Sequence, residues 1–284
     1  MAPQETPPGE DRTPPAPSPR VAAFFDLDKT IIATSSAFAF GKEFMHNGLI
    51  SYLDALQLSL AKSSYMVIGQ SSEKMDSTRD QLTNLVAGWS VDEVSRIASE
   101  AMHSVVTPAI YAEARELITF HRSAGHDVII ISASASQLVE PIATELGVDK
   151  VVATELEVVD GRFTGEVDFY CKGPAKAEAI MAMAESHGYD LAASFAYSDS
   201  ATDIPMLEQV GNPVAVNPDR AMKKHALDNG WELRSFRDPV PLLTMPNARE
   251  VGIGAGVVAS IAALTAGGLW IAQRSRGADG GRSA

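Results

Sequence analysis

The 284-residue chain contains one cysteine, Cys171, which excludes an intrachain disulfide and a cysteine-based zinc cage. It is short of positive charge. Its 23 Lys and Arg against 36 Asp and Glu give a formal charge of −13, the wrong sign for nucleic acid as the main partner. The histidines at 46, 103, 121, 126, 187 and 225 are scattered and show no metal-ligand spacing. No repeat period is visible either. What remains is ordinary for a globular protein, with 45% hydrophobic and 21% charged residues.

The two ends differ from the middle. Residues 1–20 hold seven of the 16 prolines and few apolar side chains, too little to offset the entropy of ordering, so a disordered tail is expected. The same stretch lacks the apolar core of a secretory signal, which points to a cytoplasmic catalytic domain. From 251 to 272, VGIGAGVVASIAALTAGGLWIA runs 22 residues without a charge, long enough to cross about 30 Å of hydrocarbon as a helix. Its five glycines and six alanines make it only moderately apolar, and Gly252 and Gly256 form a small-xxx-small pair suited to helix contact. Arginines flank it evenly, so the charge bias sets no orientation. Membrane association through 251–272 is the expectation.

Between Val21 and Arg237, short β-rich runs alternate with helical stretches. VAAFFDLD, DVIIIS, SFAYSDS and PVAVN read as strands; 109–124, 136–146, 174–187 and 201–210 read as helices. This alternation predicts an open, mainly parallel α/β sheet with ligands at the carboxyl ends of its strands. Some 70 residues, 36–106, show only helical patterns and read as an inserted cap. A smaller insertion, 155–170, carries Asp160-Gly161, a strong hairpin turn signal.

The chemistry collects at strand ends. Asp26 and Asp28 flank Leu27 after VAAFF and project to one side, where two like charges call for a cation or a proton between them. Ser132 ends DVIIIS ahead of a helix, a place where a hydroxyl and backbone N–H groups can hold an anion. Lys172 and Lys176 bracket the opening of another helix at Pro174, and Asp199 and Asp203 follow the strand SFAY. Each feature is ordinary by itself. Their order, each at a strand or helix end, is not.

In these motifs the chain resembles the haloacid dehalogenase superfamily phosphatases of the phosphoserine-phosphatase-like branch (subfamily IB), particularly actinobacterial members with a Pro-rich start and an apolar tail. FFDLDKT, the serine of DVIIIS, the lysine and YSDSATD correspond to the family's four motifs in order. The resemblance implies a Rossmann-like three-layer core at 21–35 and 107–237 with a C1-type helical cap at 36–106. A linker at 238–250, the apolar helix at 251–272 and a tail at 273–284 complete the expected organisation.

The same resemblance implies Asp26 as nucleophile, forming an aspartyl-phosphate, and Asp28 as general acid and base. It implies Mg²⁺ on the Asp26 carboxylate, the Asp28 carbonyl and Asp199, with Asp203 orienting a metal-bound water or steadying Asp199. Thr30 would fix the first loop, and Ser132 and a lysine would neutralise the phosphate oxygens. The pattern K-G-x favours Lys172, whereas C-x-G-x-x-K, read from Cys171, favours Lys176; Lys176 is chosen.

The substrate is less defined. Phosphoserine phosphatases place a glutamate soon after the first motif, but here IIATSSAFAF follows with no acid before Glu43, and no cap arginine precedes Arg79. The apolar stretch 37–40 and the C-terminal run point instead to a small or lipid-like phosphomonoester such as a lysophospholipid. L-phosphoserine hydrolysis, phosphoryl transfer to an alcohol and a non-catalytic phospho-ligand-binding module at the membrane are the alternatives.

Overall fold

The computed structural model describes residues 20–51, 85–148 and 150–237. The expected tails, the linker and the 251–272 run lie outside the described residues, as do residues 52–84 of the expected cap. Among the described residues no helix is long and apolar enough to cross a membrane.

Seven strands form one sheet in the order β4-β3-β2-β1-β5-β6-β7. Strands β1 (Ala22–Phe25), β2 (Asp127–Ala135), β3 (Lys150–Val159), β5 (Phe195–Ser198), β6 (Asn212–Val216) and β7 (Glu232–Arg234) pair in parallel; β4 (Arg162–Phe169) is antiparallel to β3. From β1 the chain steps outward through β2 and β3 on one side and through β5, β6 and β7 on the other. The switch between β1 and β5 is where such sheets open a crevice at their carboxyl edge.

β1 reads AAFF because it is central and covered on both faces. Ala23 and Phe25 face one apolar cluster, Ala22 and Phe24 the other. The first cluster takes in Phe40 and Phe44 of α1 (Ser36–His46), Val94 and Ile97 of α2 (Val91–Ala101), Ile118 of α3 (Ala112–Ser123) and Ile142 of α4 (Ser136–Leu146). The second takes in Ile180 of α5 (Pro174–His187), Leu207 of α6 (Ile204–Leu207) and Met222 of α7 (Arg220–Asp228). Each fully buried phenylalanine contributes about 1.5–3 kcal/mol relative to exposure.

Several elements depart from the sequence reading. β2 runs three residues past Ser132, to Ala135, so that serine is not the last residue of its strand. The 155–170 hairpin is no appendage: β3 begins at Lys150, pairs with β2 and carries the hairpin as the sheet's edge. The helix expected at 201–210 is a 3-10 turn at Ala201–Asp203 followed by α6, and α3 starts at Ala112 because Tyr111 is extended.

Behind the active edge, Phe25 stacks on Tyr197 at 4.4 Å, and the Tyr197 hydroxyl meets Nε2 of the fully buried His121 at 2.8 Å. Burial, then the neighbouring His126 and Arg234, pushes His121 down to about 4. A histidine depressed in the fold stabilises fully above its unfolded value of about 6.5, and this contribution is lost as pH falls towards the folded value. The stability gap between the wild type and His121→Asn is therefore expected to shrink by about 2–3 kcal/mol from pH 7 to pH 4. Denaturant unfolding at several pH values measures it; a constant gap would contradict a neutral buried imidazole.

Candidate active site

Asp26 is the first residue after β1, and its N–H continues the ladder by donating to the Tyr197 carbonyl at 2.9 Å. The chain then turns tightly. The Leu27 carbonyl accepts from the N–H groups of Thr30, Ile31 and Ile32, and Lys29 supplies the positive φ of 61° that closes the turn. This turn brings the Thr30 hydroxyl within 3.4 Å of Asp26 Oδ2.

Lys176, in the first turn of α5, reaches the opposite side of Asp26. Its Nζ donates to Asp26 Oδ1 and to Asp203 Oδ2, each at 2.7 Å, and only 2% of the lysine is exposed. Gly173, at φ 58°, and Pro174 set the start of α5 so that Lys176 points inward. Lys172 is half-buried, and burial lowers its basicity; among the described residues it makes no ion pair with these acids. The structure thus brings Lys176, not Lys172, to the carboxylates.

Asp203 accepts a second hydrogen bond from Ser198 Oγ at 2.8 Å. Asp203 thus holds the Lys176 ammonium, and among the described residues no hydrogen bond joins it to Asp199. Asp199 follows β5, is 8% exposed, and is fixed through its carbonyl, which accepts from Asp219 N–H at 2.8 Å.

The electrostatics follow from burial. Desolvation pushes the Asp26 carboxyl up to about 7, with Asp203 and Asp28 adding repulsion and Lys176 working against it. Burial likewise raises Asp199 to about 6, opposed by Lys29. Burial alone would weaken Lys176 as a base, but the charges of Asp26 and Asp203 outweigh it and hold the ammonium protonated. One buried cation thus serves Asp26 and Asp203, with Asp199 buried nearby at the end of the next strand and opposed by Lys29, an excess of negative charge that a divalent cation would relieve. Among the described residues no group of three or more His, Cys, Asp or Glu side chains is placed to hold a metal. The expected ligand set is the carboxylates of Asp26 and Asp199 with the Asp28 carbonyl; Asp26 and Asp199 follow the neighbouring parallel strands β1 and β5, and burial raises both carboxyls, a cost that a bound cation would offset.

Asp28 acts on Asp26 through its charge, and among the described residues its hydrogen bonds go to other groups. Its Oδ1 accepts from the Ser36 N–H at 2.8 Å, and Ser134 Oγ lies 3.4 Å from Oδ2. Burial raises its pKa, and hydrogen bonds from the Ser36 N–H and from the Ser36, Ser35 and Ser134 side chains oppose the rise. Ser132 is 1% exposed, and its hydroxyl accepts from the Ser134 N–H at 3.1 Å. Cys171 is fully buried and its thiol is pushed up to about 12 by burial, so it is no nucleophile. Ser198, Ser36 and Ser134 were not among the expected site residues. Ser198 stood inside the YSDSATD motif, whereas the two others meet across the fold and carry no local signal.

The haloacid dehalogenase-like hydrolase family matches residues 23–208, a span that contains every one of these side chains. The chain belongs to that family. A Streptomyces azureus protein named "Inhibition of morphological differentiation protein" is 48% identical over 91% of this chain and 95% of its own. A Mycobacterium tuberculosis protein named "Probable phosphatase" is 45% identical over 95% and 96%, and a phosphoserine phosphatase of the same organism is 34% identical over 89% and 83%. Among solved structures, a Bordetella pertussis protein of unknown function superposes with a TM-score of 0.68 at 26% identity, covering 76% of this chain and 99% of its own. A phosphoserine phosphatase in a phospho-aspartyl intermediate analogue form shares the fold at a TM-score of 0.56 and 20% identity, over 82% and 98%. This haloacid dehalogenase-like hydrolase is an enzyme, and the names of its relatives agree with a phosphoric monoester hydrolase.

Proposed function

We propose that the enzyme hydrolyses phosphomonoesters through an aspartyl-phosphate on Asp26, with Mg²⁺ as cofactor. The observation that carries this reading is the buried Lys176 ammonium shared between Asp26 and Asp203 at 2.7 Å to each. An ammonium held on a carboxylate that ends a central strand is placed to neutralise a phosphate arriving at the same carboxylate. A bound Mg²⁺, held by the Asp26 and Asp199 carboxylates and the Asp28 carbonyl, would supply further charge neutralisation at the phosphate oxygens.

The protein groups divide the work in two displacements. An Asp26 carboxylate oxygen attacks phosphorus while the bond to the ester oxygen breaks, and Asp28 gives its proton to that departing oxygen. Asp28, now a carboxylate, takes a proton from the water that attacks the phosphoryl group, which releases phosphate and restores Asp26. Lys176 and the Ser132 hydroxyl balance charge on the equatorial oxygens, Asp203 and Ser198 hold Lys176, and Thr30 holds Asp26.

For the substrate, a small phosphomonoester is the core of the reading. Within 37–40, Ala39 and Phe40 are buried in the core and only Ala37 and Phe38 face outward, with Phe38 62% exposed. A lysophospholipid-like substrate at the membrane is then supported by exposed Phe38 and by the uncharged 251–272 run. L-phosphoserine is the second reading, favoured by the relative of that name. A panel of phosphoserine, sugar phosphates and lysophosphatidic acid tests both, assayed for phosphate release with EDTA and with added Mg²⁺. Chelation is expected to abolish turnover and Mg²⁺ to restore it; full activity in EDTA would contradict the cofactor assignment. A clear preference for phosphoserine would remove the lipid reading.

A further inference from the structure

We propose that Asp219 is a positioning residue that holds the Asp199 loop in the shape a divalent cation needs. The inference rests on the metal assignment above and extends it to a residue outside the four motifs. Asp199, Ser200 and Ala201 follow β5, and Asp219 lies beyond the neighbouring strand β6, whose pairing sets Ser198 beside Ala215. The Asp219 N–H donates to the Asp199 carbonyl at 2.8 Å, and Asp219 Oδ2 accepts from the Ala201 N–H at 3.0 Å. One residue thus grips the peptide groups on both sides of Ser200.

The grip is stiff because Asp219 is anchored on two further sides. Its Oδ1 accepts from the Met222 N–H at 2.8 Å and caps α7, and Met222 is fully buried in the second apolar cluster. Two residues before Asp219, Asn217 takes a φ of 43° and is pinned in turn. Its N–H donates to the Arg234 carbonyl at 2.9 Å, and its side chain bonds both the N–H and the carbonyl of Phe236. A helix cap needs one side-chain oxygen. The second oxygen of Asp219 goes to the loop that carries Asp199, which capping by itself does not require.

The loop needs such a hold. It passes from β5 into a single 3-10 turn, Ala201–Asp203, and among the described residues the other hydrogen bonds of Ser200 and Thr202 stay between 198 and 203. A metal ligand that must be ordered as the ion binds holds it less tightly than one fixed beforehand. Without the Oδ2 bond the Ser200–Ala201 peptide is free to turn, and the Asp199 carboxylate loses its fixed approach. The charge of Asp219 also acts on Asp199, a separate influence that salt screens and a hydrogen-bonded clamp resists.

The test titrates the full chain with Mn²⁺ alone, followed by electron paramagnetic resonance of the free ion, and then displaces it with Mg²⁺. Thermal melts in EDTA run beside it. Asp219→Ser keeps a single-oxygen cap for α7 and cannot hold Ala201 as well, whereas Asp219→Ala loses both bonds. Both variants are expected to bind Mn²⁺ about 10-fold more weakly than the wild type. In the melts Asp219→Ser should stay within about 2 °C of the wild type, and Asp219→Ala should fall about 4 °C. Affinity that follows the clamp while stability follows the cap is the supporting result. Wild-type affinity in Asp219→Ser would overturn the positioning role. So would a gap that closes in about 0.5 M KCl, since Asp219 would then act only through its charge. Asp199→Asn separates the two levels of the argument. If it binds Mn²⁺ as tightly as the wild type, the metal assignment itself fails.

Discussion

Asp26→Asn is expected to lower kcat by about 10⁴-fold or more while the protein stays folded. The first part follows from nucleophilic catalysis: an amide oxygen neither attacks phosphorus usefully nor leaves a hydrolysable acyl phosphate. The second part follows from burial, because Asp26 is 7% exposed and desolvation raises its pKa to about 7. A carboxyl raised in the fold costs stability as pH climbs from its ordinary value towards the raised one, and a neutral amide of the same shape carries no such cost. The variant should therefore unfold at the same temperature as the wild type at neutral pH, or slightly above it. Steady-state phosphate release and a thermal melt check both halves. Retained turnover would exclude Asp26 as the nucleophile.

Lys176→Met should fail differently. It removes the one ammonium that bridges two buried carboxylates, leaving Asp26 and Asp203 to repel each other in a desolvated site. Breaking a buried pair in this way costs about 3–5 kcal/mol, in contrast to the small effect of an exposed pair. Turnover should fall about 10²–10³-fold in addition, since phosphate oxygens lose their fixed positive neighbour. The companion Lys172→Met should change activity less than about threefold, because Lys172 makes no ion pair with these acids among the described residues. Adding Asp203→Asn to Lys176→Met should recover part of the stability without recovering turnover, a split readable from paired melts and rates. The reverse pattern, with Lys172 essential and Lys176 dispensable, would contradict the arrangement.

Much of this was readable from local pattern. The apolar runs before DLD and before SDSATD are buried central strands, and a buried strand that meets acids marks its own exposed end. The Asp160-Gly161 turn was legible because its backbone demands positive φ, which both residues adopt at 51° and 73°. The edges of the sheet were not. β3 alternates Glu155 and Glu157 with apolar residues and β7 has only three residues, so neither resembles a fully buried strand. The C-x-G-x-x-K pattern favoured Lys176 over Lys172 without a physical reason, and the fold supplies one by turning Lys176, in the first turn of α5, towards Asp26 and Asp203. Ser36 and Ser134 meet across 98 positions of sequence, and no local pattern announces a hydroxyl pair of that kind.

The phospho-enzyme itself is the most direct test. The full chain is mixed with substrate and Mg²⁺, quenched in acid within the first turnover, digested and mapped by mass spectrometry. One phosphoryl group on the peptide holding Asp26, labile to hydroxylamine and missing from Asp26→Asn, is the result the account predicts. Steady hydrolysis with no acyl phosphate at that residue, or with the label on another side chain, would contradict it.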